Sequence, residues 1–535
     1  MDLRVRLLDK ELRRQFSNSI QTFSDFGLTL GDWQIEGIRW MLKREQDSFC
    51  RGGFLFDDMG LGKTIQTIGL MLGNVVNKTL LILPPVLINQ WRDHLIRFFP
   101  DVKIIIHYGL NRLRSVWELP DTRVIVLTSY DLLYSHKKGL SKFIPTILHK
   151  IKWDRIICDE CHLIRNLKCK RSIGVNKLRG VIRWGLTGTP IHNGESDFLN
   201  LFNFLGKGKL DLKDFNILRE KYSLRRTKKM IGGQLDIPKL SIEIHKLEFS
   251  SEEELEFYRR VRGEVIRDFA RLRNMRFNMN AIFELLLRSR QSCIYPQMVL
   301  KGYNTKYDTD IENWEGGVTK LQKLADMIKR QRIDFPNDKT LVFSIFKDEI
   351  LLLGNYLKKL NYNVSIINGS TSLMERDDIL NRCKFDSSFI SGSHFSRLPI
   401  DLYDEIMSYY NPVDILIVQI NIGSTGLNLQ MFNHIYFTSP CWNPAIEDQA
   451  ICRSYRLGQT KEVKVHKLVM CDKSDLEDLQ NVKTIEEQIL EIQDKKRKVM
   501  FDILKDSDLL NNGILFPAKT TSNNLSVEDF VGLFE

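Results

Sequence analysis

Short apolar runs rich in β-branched residues recur along this chain, separated by stretches whose apolar positions return every three or four residues. That alternation predicts parallel sheets covered by helices. One set of predicted strands falls at 53–56, 79–83, 123–127, 155–158 and 183–186, and a second at 340–343, 363–367, 414–419, 434–437 and 463–468, interleaved with helical stretches such as 347–360. Two α/β lobes are expected. Between them, 206–317 is charged, rich in arginine and helical in pattern apart from a strand pattern near 240–247, so it reads as an insertion joining the lobes. The expected organisation is an N-terminal extension (1–29), a first lobe (30–205), the helical insertion and linker (206–317), a second lobe (318–480) and a C-terminal helix and tail (481–535). Within the second lobe, 386–412 is rich in Ser, Gly and Tyr and breaks the strand rhythm, as a surface excursion does.

Composition narrows the partners. With 535 residues, 43% of them hydrophobic, the chain can fill several cores. Its formal charge of +11 and pI near 9.0 suit a polyanion, because clustered Lys and Arg gain affinity from phosphates by releasing condensed counterions. Nine scattered cysteines make no disulfide framework and point to a reducing compartment. The opening MDLRVRLLDKELRRQF lacks the apolar core of a secretory signal, and no run of about eighteen apolar residues occurs. A soluble intracellular protein, with no membrane partner, is expected.

The candidate chemistry begins at Asp57, Asp58, Met59, Gly60, Leu61, Gly62, Lys63 and Thr64, a loop between a predicted strand and a predicted helix. Glycines let backbone N–H groups close around phosphate oxygens at a helix start; Lys63 would reach the β- and γ-phosphates and Thr64 would hold Mg²⁺. Asp57 stands where the simple pattern has glycine. About a hundred residues on, Asp159 and Glu160 end an apolar strand, with Asp159 suited to the Mg²⁺ shell and Glu160 to activating the attacking water. Cys158, Cys161 and His162 also spell a c-type haem attachment pattern, and Cys169 could complete a zinc set; the absence of a second ligand pair nearby weighs against both.

DDMGLGKT, DECH and LTGTPIHN (186–193) together resemble the Swi/Snf (sucrose-nonfermenting) family of superfamily-two helicase-like ATPases, in motif order from Leu30 to about Glu491. The resemblance implies two tandem RecA-like parallel-sheet lobes with a helical family-specific insertion and a C-terminal helical brace. LGDWQIEGIRWML resembles the adenine-reading segment, which makes Gln34 the base-binding glutamine. LILPPVLINQW and LTSYD resemble strand-end segments that touch nucleic acid, through Pro84, Pro85, Thr128, Ser129 and Tyr130. LRRTK (224–228) and RSRQSCIYP (288–296) resemble the family's insertion. In the second lobe, NGSTSLMER places Asn368, Gly369, Ser370 and Thr371 at a nucleic-acid loop, and GSTGLNLQ, with Gly426 and Asn428, resembles the segment that couples the two ligands. CWNPAIEDQAICRSYRLGQTKEV (441–463) is the most specific match. Gln449, Arg453 and Arg456 there fall at i, i+4 and i+7, one helix face, from which two guanidiniums could stabilise a transferring phosphoryl group.

The nearest branch by resemblance holds lodestar-like transcription-termination factors and RING-bearing DNA-damage-tolerance translocases. Cys293 is the only cysteine between 193 and 341, so no RING and no structural zinc are expected. The implied activity is hydrolysis of ATP with Mg²⁺ in a cleft between lobes, coupled to movement along double-stranded DNA, at the nucleus or another site of DNA transactions, alongside transcription, repair or chromatin proteins. A strand-separating DNA or RNA helicase shares the ATP residues and is the alternative; a catalytically silent nucleic-acid scaffold would have lost some of them.

Overall fold

The computed structural model describes residues 3–134, 143–191, 194–206, 215–234, 237–273, 279–307, 313–384, 413–423, 427–472 and 483–504. The expected excursion at 386–412, Gly426 and the polar tail lie outside these residues. The chain divides into two compact units, Met1–Asp236 with Val499–Asp508, and Ile237–Lys498 with Leu509–Glu535. No described helix is long and apolar enough to cross a membrane.

The first unit is built on a seven-stranded sheet of β1 (Gly52–Leu55), β2 (Lys78–Leu83), β3 (Lys103–His107), β4 (Val124–Ser129), β5 (Lys152–Asp159), β6 (Arg179–Leu186) and β7 (Ser223–Leu224). Their order is β3-β4-β2-β5-β6-β1-β7, and every pairing is parallel. Strands such as TLLIL and VIVLTS are apolar throughout because helices cover both faces of such a sheet. Leu81, Leu127, Ile157 and Trp184 from the sheet share a core with Ile38, Met71, Trp91 and Leu95 from the helices Asp32–Glu45, Lys63–Gly73 and Ile88–Phe98. The helix Leu3–Asp25 belongs to this unit too: its Phe23 is fully buried and its Ser19 Oγ donates to Gly69 O at 2.6 Å. That close approach needs the bare backbone of the Lys63–Gly73 helix, since a Cβ on Gly73 would stand 2.6 Å from Ser19 Oγ.

The second unit carries β8 (Leu240–Glu248), β9 (Thr340–Ser344), β10 (Val364–Ile367), β11 (Ile415–Gln419), β12 (His434–Phe437) and β13 (Val463–Cys471) in the order β10-β11-β9-β12-β13-β8, again all parallel. The helices Glu252–Arg273, Met279–Ser292, Pro296–Tyr307 and Thr319–Asp334 pack on it, with Phe257, Tyr258, Leu286 and Leu324 in one cluster with Val342, Tyr436 and Leu468. The two parallel-sheet lobes expected from the strand pattern are therefore present. The long stretch between the two strand sets is shared: 206–236 groups with the first unit, and β8 with the following helices groups with the second.

Candidate functional site

Because all strands of the first sheet are parallel, their C-terminal ends share one edge, where ligands of open α/β sheets bind. The loop after β1 and the carboxylates after β5 both lie there, two strand spacings apart across β6, or about 10 Å. Gly60 and Gly62 take φ of 89° and 79°, conformations costly for other residues, and Gly62 caps the helix Lys63–Gly73 without a side-chain acceptor. The first N–H groups of that helix are thereby directed at the loop. Lys63 Nζ donates to Asp57 O at 2.7 Å and Asp58 O at 3.2 Å, so the ammonium curls over its own loop. Burial pushes its pKa down, against the pull of Glu160, Asp57, Asp159 and Asp58. Gln34 is tucked against the same loop: its Nε2 donates to Leu61 O at 3.4 Å and its Oε1 accepts from Gly31 N at 3.0 Å. A Cβ on Gly62 would come within 2.2 Å of that Nε2. Met59 packs over Gly188, and Thr64 opens the helix, half-buried.

Asp57 is fully buried and does not face the loop's interior. Its carboxylate accepts from Arg226 Nε at 3.0 Å, Arg226 Nη2 at 2.5 Å, Arg226 N at 3.1 Å and Gln66 Nε2 at 3.0 Å. Arg226 also binds Trp33 O and Gln66 Oε1. Next door, Arg225 Nη2 and Lys228 N each donate to the Asp58 carboxylate at 3.2 Å, and Asp58 N donates to Arg226 O at 2.9 Å. LRRTK, grouped by pattern with the helical insertion, is thus an edge of the first sheet that clamps the start of the loop. The partners are 169 residues apart, so no local pattern could pair Arg226 with Asp57.

Asp159 is held from three sides. Trp91 Nε1 donates to its Oδ2 at 2.8 Å, Glu160 N to its Oδ1 at 2.9 Å, and Tyr130 OH to its carbonyl at 2.5 Å. Burial, then the charge of Glu160, push its pKa up to about 6, with Trp91 and Lys63 opposing. Glu160 has a φ of 51°, left-handed and unusual for a non-glycine residue. Its Oε2 accepts from Thr187 Oγ1 at 3.2 Å and lies 3.2 Å from His162 Nδ1, which itself lies 3.0 Å from Thr187 Oγ1. Trp91, Thr187 and His162 hold the two carboxylates, a part that sequence patterns assign to none of them: His162 enters there only in a haem-attachment pattern, and Trp91 and Thr187 sit within motifs quoted for other reasons.

Cys158 and Cys161 are fully buried, and burial pushes both thiols well above the usual range. A metal or haem-forming thiolate needs the opposite. Cys169 caps a helix, its Sγ accepting from Ser172 N at 3.4 Å.

In the second unit the helix Pro444–Ile451 carries Gln449, which is buried. This helix ends at Ile451, so Arg453 and Arg456 lie in the turns beyond it; the single helical face inferred from their spacing does not form. The turns close through Arg453 N to Ala450 O at 3.1 Å and Ser454 N to Ile451 O at 3.0 Å, and they grip the neighbouring loop through Leu429 N to Arg453 O at 3.2 Å. Burial, then the charge of Arg453, push the Arg456 guanidinium below its usual pKa. Glu447, fully buried, anchors the helix from behind, accepting from Lys467 Nζ at 2.6 Å, Cys441 N at 2.6 Å and Gln493 Nε2 at 2.7 Å. Arg497 clasps Asp448 with bonds of 3.0 and 2.9 Å.

The residues expected to meet nucleic acid are placed unevenly. Pro84 and Pro85 follow β2 at the ligand edge. Thr128, Ser129 and Tyr130 are buried, with Thr128 Oγ1 bonded to His107 O at 3.1 Å and Tyr130 on Asp159, so their side chains serve the interior of the unit. Gly369 and Ser370 are exposed in a turn after β10 that Asn368 Oδ1 closes by accepting from Ser370 N at 2.9 Å, while Thr371 Oγ1 accepts from Asn368 N at 3.0 Å. Asn428 is exposed.

A family model described as an SNF2-related domain matches residues 33–217, and one described as a helicase conserved C-terminal domain matches 393–458. The chain is 29% identical over 503 residues to YwqA of Bacillus subtilis, named as a candidate ATP-dependent helicase/translocase, covering 86% of this chain and 49% of that protein. It is 26% identical to transcription termination factor 2 of Drosophila melanogaster, covering 95% of this chain and 59% of that one. The chain therefore spans about half the length of the first of these relatives and under two thirds of the second. A solved Sulfolobus solfataricus SWI2/SNF2 ATPase core in complex with dsDNA is 25% identical, with 90% of this chain and 94% of that chain covered, at a TM-score of 0.36. The architecture stated above rests on the two sheets themselves.

Proposed function

Because this chain belongs to the SNF2-related (Swi/Snf) family of helicase-like ATPases, we propose that it hydrolyses ATP to ADP and phosphate and uses the cycle to move along, or remodel, double-stranded DNA. The observation that carries this reading is the meeting at one sheet edge of a glycine-bent loop, the Lys63 ammonium and the Asp159–Glu160 pair.

In the proposed site the backbone of 58–64 cradles the phosphates, and Lys63 exchanges two carbonyl partners for phosphate oxygens. Gln34 turns its amide to the adenine edge. Glu160, steadied by Thr187 and His162, orients the attacking water. Thr64 and Asp159 would hold Mg²⁺, and the residues fit a divalent cation: a hydroxyl and two adjacent carboxylates, one of them buried and crowded by the charge of the other, offer the hard oxygen ligands such an ion takes. The ion supplies neutralisation of the phosphate oxygens during transfer. Within the second unit, Gln449, Arg453, Arg456 and the segment around Gly426 are the residues proposed to act on the nucleotide. Burial, then the charge of Arg453, hold the Arg456 guanidinium below its usual pKa, and a bound anion would relieve that, as it does for arginine fingers.

Binding of DNA phosphates through 84–85, 368–371 and 423–428, with the buried side chains of 128–130 only supporting the sheet edge from within, accords with the charge of +11 and makes the activity tolerant of sequence and sensitive to salt. The name of the Drosophila relative supports a task in transcription, in the nucleus or at another site of DNA transactions.

Lys63→Ala is expected to abolish ATPase activity while leaving the circular dichroism spectrum intact; turnover at the wild-type rate would overturn the site. Arg453→Ala is expected to spare ATP binding and slow hydrolysis by about 10³-fold, the low end for arginine fingers. Loss of nucleotide binding instead would refute the finger role. ATPase stimulation by duplex DNA, single-stranded DNA and RNA across a salt series tests the track: preference for duplex DNA supports translocation, and preference for single strands supports strand separation.

A further inference from the structure

We propose that Glu243, His245 and His466 form a binding site for a divalent transition-metal cation of the zinc class, on the edge of the second sheet and separate from the ATP machinery. Side chains two apart on a strand share a face, so Glu243 and His245 project together from β8. The parallel register sets His466 of β13 directly beside Glu243. The three potential ligand atoms form a small triangle: His245 Nε2 to His466 Nδ1 is 3.0 Å, His245 Nε2 to Glu243 Oε2 is 3.6 Å, and His466 Nδ1 to Glu243 Oε2 is 3.7 Å. Two ligands each about 2.0–2.1 Å from a tetrahedral ion stand roughly 3.3 Å apart, so the triangle already has the size that such an ion requires.

The donor set chooses the ion. Two imidazoles and one carboxylate suit zinc, nickel or copper; magnesium and calcium prefer oxygen throughout. Three protein ligands leave a fourth position to water or to an incoming ligand. Access is graded, with side-chain exposures of 14% at His466, 29% at His245 and 62% at Glu243, so an ion can enter over the carboxylate and settle on the rings. The His466 ring is oriented by stacking on Tyr436, with centroids 4.8 Å apart. Lys464, on the same face, is drawn over the Phe335 ring at 3.7 Å. A plain His245–His466 hydrogen bond is the competing account, and it requires nothing of Glu243.

The site has a consequence for its element. β8 is the outermost strand of its sheet and the first strand of the second unit, bonded along one side to β13. An ion bridging both strands staples that edge. The ligands are 221 residues apart in sequence, which is why no metal-binding spacing announced them.

The test uses the 535-residue chain, stripped of metal and kept in excess Mg²⁺, titrated with Zn²⁺ by calorimetry and with Co²⁺ by visible absorption. One ion per chain is expected, with cobalt bands of a tetrahedral nitrogen and oxygen site and no thiolate charge-transfer band, and a raised melting temperature. Glu243→Gln and His245→Gln, both accessible and each checked for fold by circular dichroism, are each expected to weaken binding by at least about tenfold, the lower bound for loss of even an outer-shell partner. Absence of binding, a thiolate band, or affinity unchanged in both variants would overturn the proposal; weakening in His245→Gln alone would remove Glu243 from the ligand set and overturn the three-ligand site.

Discussion

Asp57 occupies the place where a simple phosphate loop has glycine, and its backbone shows why glycine is not required. Among described non-glycine residues only Glu160 and Asn361 have positive φ. The side chain turns into the unit and meets Arg226 in a bidentate, buried pair. Breaking such a pair leaves one charge without its partner, so Arg226→Ala should destabilise the first unit by about 3–5 kcal/mol in urea unfolding, whereas replacing both residues by apolar ones of similar size should cost far less. Glu160 presents the converse case: strain retained at the residue proposed to orient the attacking water. Glu160→Gly should abolish hydrolysis yet stabilise the unit by about 1 kcal/mol, because the left-handed backbone then carries no side-chain penalty. A variant that is both inactive and less stable would contradict that reading.

Among the elements, the helix Ile485–Leu504 does more than its amphipathic pattern foretold. Glu486 accepts from Lys320 Nζ at 2.5 Å and from Ser439 Oγ at 2.8 Å, Gln493 reaches Glu447, and Arg497 holds Asp448, so one face of this helix fixes the segment that leads to Arg453 and Arg456. Lys320 and Glu486 are both buried. Glu486→Ala should therefore cost about 3–5 kcal/mol of second-unit stability, read by denaturant midpoint. The strands were the easiest elements to see in advance, since runs buried on both faces are apolar end to end. β3 and β7 escaped: β3 is a half-exposed edge strand, and β7 has two residues, too few to show any period. The helical reading of 449–456 failed because apolar and charged spacing cannot tell a helix from the tight turns that continue one after Ile451.

At the scale of the molecule, each unit has its own sheet and its own apolar clusters, which favours separate unfolding transitions. Arg226→Ala should lower the transition of the first unit and Glu486→Ala that of the second, in scanning calorimetry; equal shifts of a single peak in both variants would show the units to unfold as one. The assignment of β8 illustrates what this scale adds. A strand pattern near 240–247 was visible, but only sheet pairing shows that it closes the edge of the second unit.

The sequence by itself determined the two parallel-sheet lobes, the glycine turn after β1, the carboxylate pair after β5 and the resemblance to the SNF2-related family, because each depends on patterns within a few residues: apolar periodicity, glycines at a turn, acids at a strand end. Tertiary structure alone decided that Arg226 secures Asp57, that Tyr130 faces inward onto Asp159, that Arg453 and Arg456 stand on turns, and that Glu243, His245 and His466 converge. Those relations join residues far apart along the chain through parallel pairing and shared cores, and local sequence patterns hold no record of which distant side chain will become a neighbour.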